Sequence, residues 1–176
     1  MDQTPASEWK DATLGTLICH LTECHTAILE RSLPHIAGLI ATIRGDRECE
    51  PCQDIAVAFR DFCGMLEKHV ETEDGSVFNL IKALEDADRL HVFHCRSIAR
   101  PIGVMVEEHK NLYSALGSLT RIAASYPPGS GPEDAVADLQ RSLAQLESDL
   151  RGCNQKEEDY VFPKAIAREA HPATLG

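Results

Sequence analysis

Residues 139–157 read LQRSLAQLESDLRGCNQKE, and their spacing sets the architecture. Leu139, Leu143, Leu146 and Leu150 recur at steps of three and four, and Cys153, Glu157 and Tyr160 continue the row. Side chains at that spacing share one face of an α-helix, so the segment buries a stripe against other elements. One acid, Glu157, stands on the stripe where an apolar residue is expected. A buried carboxylate is costly unless it is paired or bound to a cation.

Three more segments have the same period. The first runs from about residue 10 to 44 on Leu14, Ile18, Leu21, His25 and Ile28, with Pro34 expected to kink or divide it. The second runs from about 53 to 87 on Ile55, Phe59, Phe62, Leu66, His69 and Glu73. The third starts at Pro101, a residue suited to the first helical position, and carries Ile102, Met105, His109, Leu112, Leu116 and Leu119. Pro132-Glu133-Asp134 opens the fourth, with acids at the positive helix end, and Pro163 is expected to disturb its last turns. Loops are expected at Arg44 to Cys52, at Asp86 to Arg100 with a short helical turn near His91-Val92-Phe93-His94, and at Tyr126 to Gly131. No internal sequence repeat is found. Four amphipathic helices with short connections predict an all-α, antiparallel up-down-up-down bundle. It is expected to form one domain over 1–176, with its core over about 10–168.

Composition agrees. The chain has 176 residues, 43% hydrophobic and only 5% aromatic, which favours helices over sandwiches or barrels. A net charge of −11 repels phosphates and anionic lipid, so nucleic-acid and membrane partners are excluded. No apolar run approaches a membrane span and no signal peptide is read, which predicts a cytoplasmic protein. Seven scattered cysteines in a reducing compartment read as thiols or metal ligands rather than a disulfide framework.

Each stripe carries a candidate metal ligand: His25, then His69 with Glu73, then His109, then Cys153 with Glu157. Residues four apart stand one above the other, so each pair presents two donors to one point. Counted from the turns, all six groups fall within about two helical turns, or ~10 Å, of one level. Carboxylates and imidazoles converging inside a bundle suit iron or manganese.

The residues around these donors resemble the hemerythrin-like, HHE cation-binding family, nearest to the C-terminal domain of di-iron proteins that repair iron–sulfur centres. The matching stretches are Leu33-Pro34, Leu66 to Asp74 followed by Val77-Phe78, Pro101 to His109, and Glu157 to Pro163. The resemblance spans about 14–166. It implies His69 and His109 as terminal ligands and Glu73 and Glu157 as carboxylates bridging two irons. Cys153 stands where the family has histidine. Counting back from Leu33-Pro34 puts the family's first histidine on Thr26, whereas the stripe favours His25; a local register shift reconciles them, with His20 the substitute. The resemblance predicts His69, Glu73, Glu157 and His25 around one ion, and His109 and Cys153 with the shared carboxylates around the other. No small N-terminal cysteine-containing domain of the repair proteins is read, so repair itself is not expected.

The function expected is binding of non-haem iron, as a di-iron centre, or a single iron or zinc. Its role would be to bind or sense a small diatomic such as O2 or NO, or to handle iron in oxidative or nitrosative stress, rather than to act as a conventional enzyme. The oligomeric state is left open, a dimer included. Alternatives are a bundle that holds one metal or none and serves interaction, and a thiol redox protein using Cys49 and Cys52. His91, His94 and Cys95 read as a surface cluster. Cys19 and Cys24 read as small apolar fillers.

Overall fold

The computed structural model describes residues 6–45, 50–85, 97–126 and 133–170. After the short α1 (Ala6–Asp11), four long rods follow. The first is α2 (Leu14–Ala27), continued through a π turn (Ile28–Ser32) into α3 (Leu33–Arg44). The second is α4 (Glu50–Thr72), a π turn (Glu73–Val77) and α5 (Phe78–Ala83). The third is the unbroken α6 (Ala99–Ala124), and the fourth is α7 (Glu133–Lys156), a π turn (Glu157–Val161) and α8 (Phe162–Ala170).

Each rod packs on the next and the fourth returns to the first: α3 lies on α4, α4 on α6, α6 on α7 and α7 on α3. The start of the first rod lies beside the end of the second, as antiparallel packing requires. This is the expected all-α up-down-up-down bundle, and no strand occurs among the described residues. The stripes read from sequence are its core: Leu21, Leu66, Met105, Leu116, Leu139 and Leu150 are all buried. Burying one such side chain contributes about 1.5–3 kcal/mol, so these stripes set the register of every rod.

The ends are closed locally. Thr13 caps α2 by accepting from the Thr16 N–H, and the Glu85 carboxylate accepts from the Leu14 and Gly15 N–H groups across the bundle. Glu169 accepts from the Ile98 N–H and the Ser97 hydroxyl, fixing the entry to α6. Gly45 ends α3 at φ 44°, a conformation that suits glycine.

Three boundaries differ from expectation. The helix assigned to begin near 53 begins at Glu50, with Pro51 in the first turn, where a missing N–H costs nothing. The third begins at Ala99, two residues before Pro101. Pro34 does not divide its rod. A π turn precedes both Pro34 and Pro163, so the residue four positions before each proline lies inside the widened turn. Within it, the Leu33 N–H reaches the Ile28 carbonyl and the Phe162 N–H the Glu157 carbonyl, five residues back. The ring that would clash with a regular turn is thereby accommodated without a break.

Candidate metal centre

At mid-height the apolar stripes give way to a polar layer. His25, His69, Glu73, His109 and Glu157 are each only 0–4% exposed. Two sets of donor atoms converge there: His69, Glu73 and His109, and His25, Glu73 and Glu157. Glu73 belongs to both. Its Oε2 lies 3.5 Å from His69 Nε2 and 3.8 Å from His25 Nε2. Glu157 reaches two imidazoles with its two oxygens: Oε1 is 3.4 Å from His25 Nε2 and Oε2 is 3.1 Å from His109 Nε2.

The π turns aim these groups. In a regular helix the fifth residue on is about 140° round the axis; an i→i+5 turn brings it much closer to the same face. Glu73 and Phe78 open and follow one such turn, and Glu157 and Phe162 another. Each phenyl stacks on the histidine its glutamate faces, Phe78 on His25 at 6.1 Å and Phe162 on His109 at 6.4 Å between centroids. The π turn at Ile28–Ser32 is also the register shift that Leu33-Pro34 called for. His25 faces the layer. Thr26 is exposed and its hydroxyl donates to the Thr22 carbonyl.

Each of the three histidines in the layer is held from behind. Nδ1 of His25 lies 3.1 Å from Asp74, that of His69 2.9 Å from Glu108, and that of His109 2.9 Å from Glu158. A carboxylate accepting from Nδ1–H leaves Nε2 facing the layer, where a cation that displaced its proton would find a lone pair, as metal-ligating histidines require. Sequence reasoning assigned these three acids no role, although each adjoins a donor in the chain.

The inner atoms lie near one another without well-aligned hydrogen bonds. Both oxygens of Glu73, both of Glu157 and Nε2 of His109 are buried without a hydrogen bond. Burial raises the Glu73 carboxyl well above its usual range, and the negative charge of Glu157 adds to this. Burial opposes ionisation of Glu157 too, but His109 and His25 hold it down to about 2. Burial disfavours charge on His25, yet Asp74 and Glu157 outweigh it and raise the imidazole to about 10. His109 is raised on the same balance of burial against Glu157 and Glu158, while for His69 burial prevails over Glu108. Orphaned carboxylate oxygens and aimed imidazole nitrogens fit a cation, which would repay their dehydration.

A family model, the hemerythrin HHE cation-binding domain, matches residues 16–165. The chain belongs to that family. No match is found among the curated proteins. The hemerythrin match and the two His/Glu sets together make this a metal-binding bundle whose kind of domain typically takes iron. No helix among the described residues is long and apolar enough to cross a membrane.

His25 groups with Glu73 and Glu157 as the resemblance implied, but His69, expected in that same set, sits instead with His109. Cys153 is buried but outside both converging sets, and it lines a cavity together with Cys24. The neighbouring Cys24 thiol, then burial and the negative charge around it, push the Cys153 thiol far above the ordinary range. Cys24 is half-buried and packs against the core, as a small apolar filler does, whereas Cys19 is exposed. His20 lies away from the layer, edge-on to Trp9 and 3.3 Å from Cys24 Sγ. Cys49, His91, His94, Cys95 and the side chain of Cys52 lie outside the described residues.

An internal repeat invisible in the sequence emerges here. His109, Glu157, Glu158 and Phe162 each stand 84 residues after His25, Glu73, Asp74 and Phe78 (109 against 25, 157 against 73, 158 against 74, 162 against 78) and make the same contacts. The two helical hairpins are related by an approximate two-fold passing through the layer.

Proposed function

We propose that this hemerythrin-domain protein holds two non-haem iron ions in the polar layer, one per donor set, with Glu73 shared between them. The observation that carries the reading is the pairing of two three-residue donor sets through one buried carboxylate whose oxygens have no other partner. Glu157, reaching a histidine of each set with a different oxygen, supports a second bridge. Mixed carboxylate and imidazole donors suit iron. Iron held there would supply a redox-active ion with an open coordination position for a small diatomic such as O2 or NO. The chain's own residues do the rest. Asp74, Glu108 and Glu158 orient the imidazoles, Phe78 and Phe162 keep water from two of them, and the glutamates balance the charge. Binding or sensing of such a diatomic, or iron handling under oxidative or nitrosative stress, is the role this site suits.

A single-ion reading has one observation in its favour: only the His69–Glu73–His109 set contains two imidazoles. Loading with ferrous iron under anaerobic conditions, then metal analysis and Mössbauer spectroscopy after oxidation, separates the two. About two irons per chain with an exchange-coupled ferric pair supports the proposal. About one uncoupled iron supports the single site, and less than about a tenth of an equivalent of any transition metal removes both.

A further inference from the structure

The approximate two-fold leaves one mismatched pair of half-sites. His69 and its partner Glu108 correspond, 84 residues away, to Cys153 and Cys24 (153 against 69, 108 against 24). An imidazole held by a carboxylate on one side is replaced by two thiols lining one cavity on the other. The cavities beside them are also symmetry mates. That flanking His69, Glu108 and Lys68 measures about 140 Å³, and that flanking Cys153, Cys24 and Gly152 about 360 Å³. Smaller side chains at five of the six corresponding positions account for the difference, Leu112 and Ile28 being of equal size.

We propose that Cys24 and Cys153 form a second reactive centre, a dithiol that reduces hydrogen peroxide admitted through this cavity and closes to a disulfide between α2 and α7. Cys24 on α2 and Cys153 on α7 line the same cavity, at the positions that correspond to Glu108 and His69, which meet at 2.9 Å. Cys24 is the half-buried member and Cys153 the buried one, so Cys24 meets the oxidant first. His20 Nε2, 3.3 Å from Cys24 Sγ, and Lys156 Nζ, 3.0 Å from the same nitrogen, put proton-handling and cationic groups beside the attacking sulfur. The Cys24 sulfur attacks one peroxide oxygen and the O–O bond breaks. The departing oxygen takes the thiol proton by way of His20 and leaves as water, and Cys24 becomes a sulfenic acid. The Cys153 sulfur then attacks that of Cys24 and displaces hydroxide, which takes the Cys153 proton and leaves as a second water. One peroxide is reduced and two thiols are oxidised. No metal takes part, so this centre stands independently of the iron reading.

The test treats the full chain, both iron-loaded and metal-stripped by chelation, with one equivalent of hydrogen peroxide, followed by thiol alkylation and peptide mass spectrometry. The expected result in both preparations is a Cys24–Cys153 linked peptide and a fall in free thiols from the seven in the chain to five. In Cys153→Ser, dimedone is expected to trap a sulfenic acid on Cys24, and in Cys24→Ser peroxide consumption is expected to fall at least tenfold. Unchanged alkylation of Cys24 and Cys153 after peroxide overturns the proposal, as does linkage of Cys24 to Cys19 or another cysteine. Disulfide formation confined to the iron-loaded protein also overturns it, because the oxidation then belongs to the metal. The wild-type mass measurement needs no variant to fold.

Discussion

Replacing Glu73 with leucine is expected to stabilise the metal-free protein and to abolish its stabilisation by metal. Glu73 is 0% exposed, neither oxygen has a hydrogen bond, and the imidazoles nearest to Oε2 stand at 3.5 and 3.8 Å. Without a cation the carboxyl therefore contributes dehydration cost with little in return. Exchanging an unpartnered buried polar group for an apolar one of similar volume recovers its dehydration cost, about 1–3 kcal/mol. For a chain of this length, that is a rise in Tm of roughly 2–12 °C. Metal at one hundred times its Kd stabilises the wild type by about 2.7 kcal/mol, or roughly 5–11 °C. In Glu73→Leu that increment should vanish, since both donor sets lose the residue they share. Differential scanning calorimetry of both proteins, with chelator and with ferrous iron under argon, reads the four values. A lower Tm for the metal-free variant together with a preserved metal shift would refute the reasoning, because Glu73 would then be an ordinary structural residue.

Glu108→Gln and Asp74→Asn, which weaken the groups behind His69 and His25, should each lower iron affinity roughly 10–100-fold in a competition titration while leaving the fold intact by circular dichroism. His25→Ala should cost at least about tenfold in iron affinity, whereas Thr26→Val should change it less than about twofold; the reverse order would mean that the π turn at Ile28–Ser32 does not set the register. Glu169→Ala removes the acceptor for the Ile98 N–H and Ser97 hydroxyl and should destabilise by about 0.5–2 kcal/mol in urea unfolding, with the iron content unchanged.

The bundle was legible because its stripes are nearly pure. Leu139 to Leu150 and Ile55 to Leu66 keep helical period without interruption, and every one of those apolar positions is buried. The five residues that converge in the polar layer could be read for a related reason: a glutamate or histidine on such a stripe is conspicuous where packing should put leucine. The π turns were not legible as such, though their trace is present. Buried positions in the first rod step from Ile28 to Leu33, a gap of five that an unbroken α-helix does not produce. Asp74, Glu108 and Glu158 were hidden by exposure: each is 25–42% accessible and sits among other surface acids. The two-fold was hidden because few residue types are shared across the 84-residue offset, and its most informative departure, Cys153 against His69, looks in sequence like a simple loss of a ligand.

The central claim is that the buried carboxylates and imidazoles surround cations. Anomalous diffraction at the iron edge, on crystals of protein loaded anaerobically with ferrous iron, tests it directly. Two anomalous peaks are expected in the polar layer, one within coordination distance of His69, Glu73 and His109 and the other of His25, Glu73 and Glu157. Iron found only at surface acids, with Glu73 and Glu157 still bare of any ion, would contradict it.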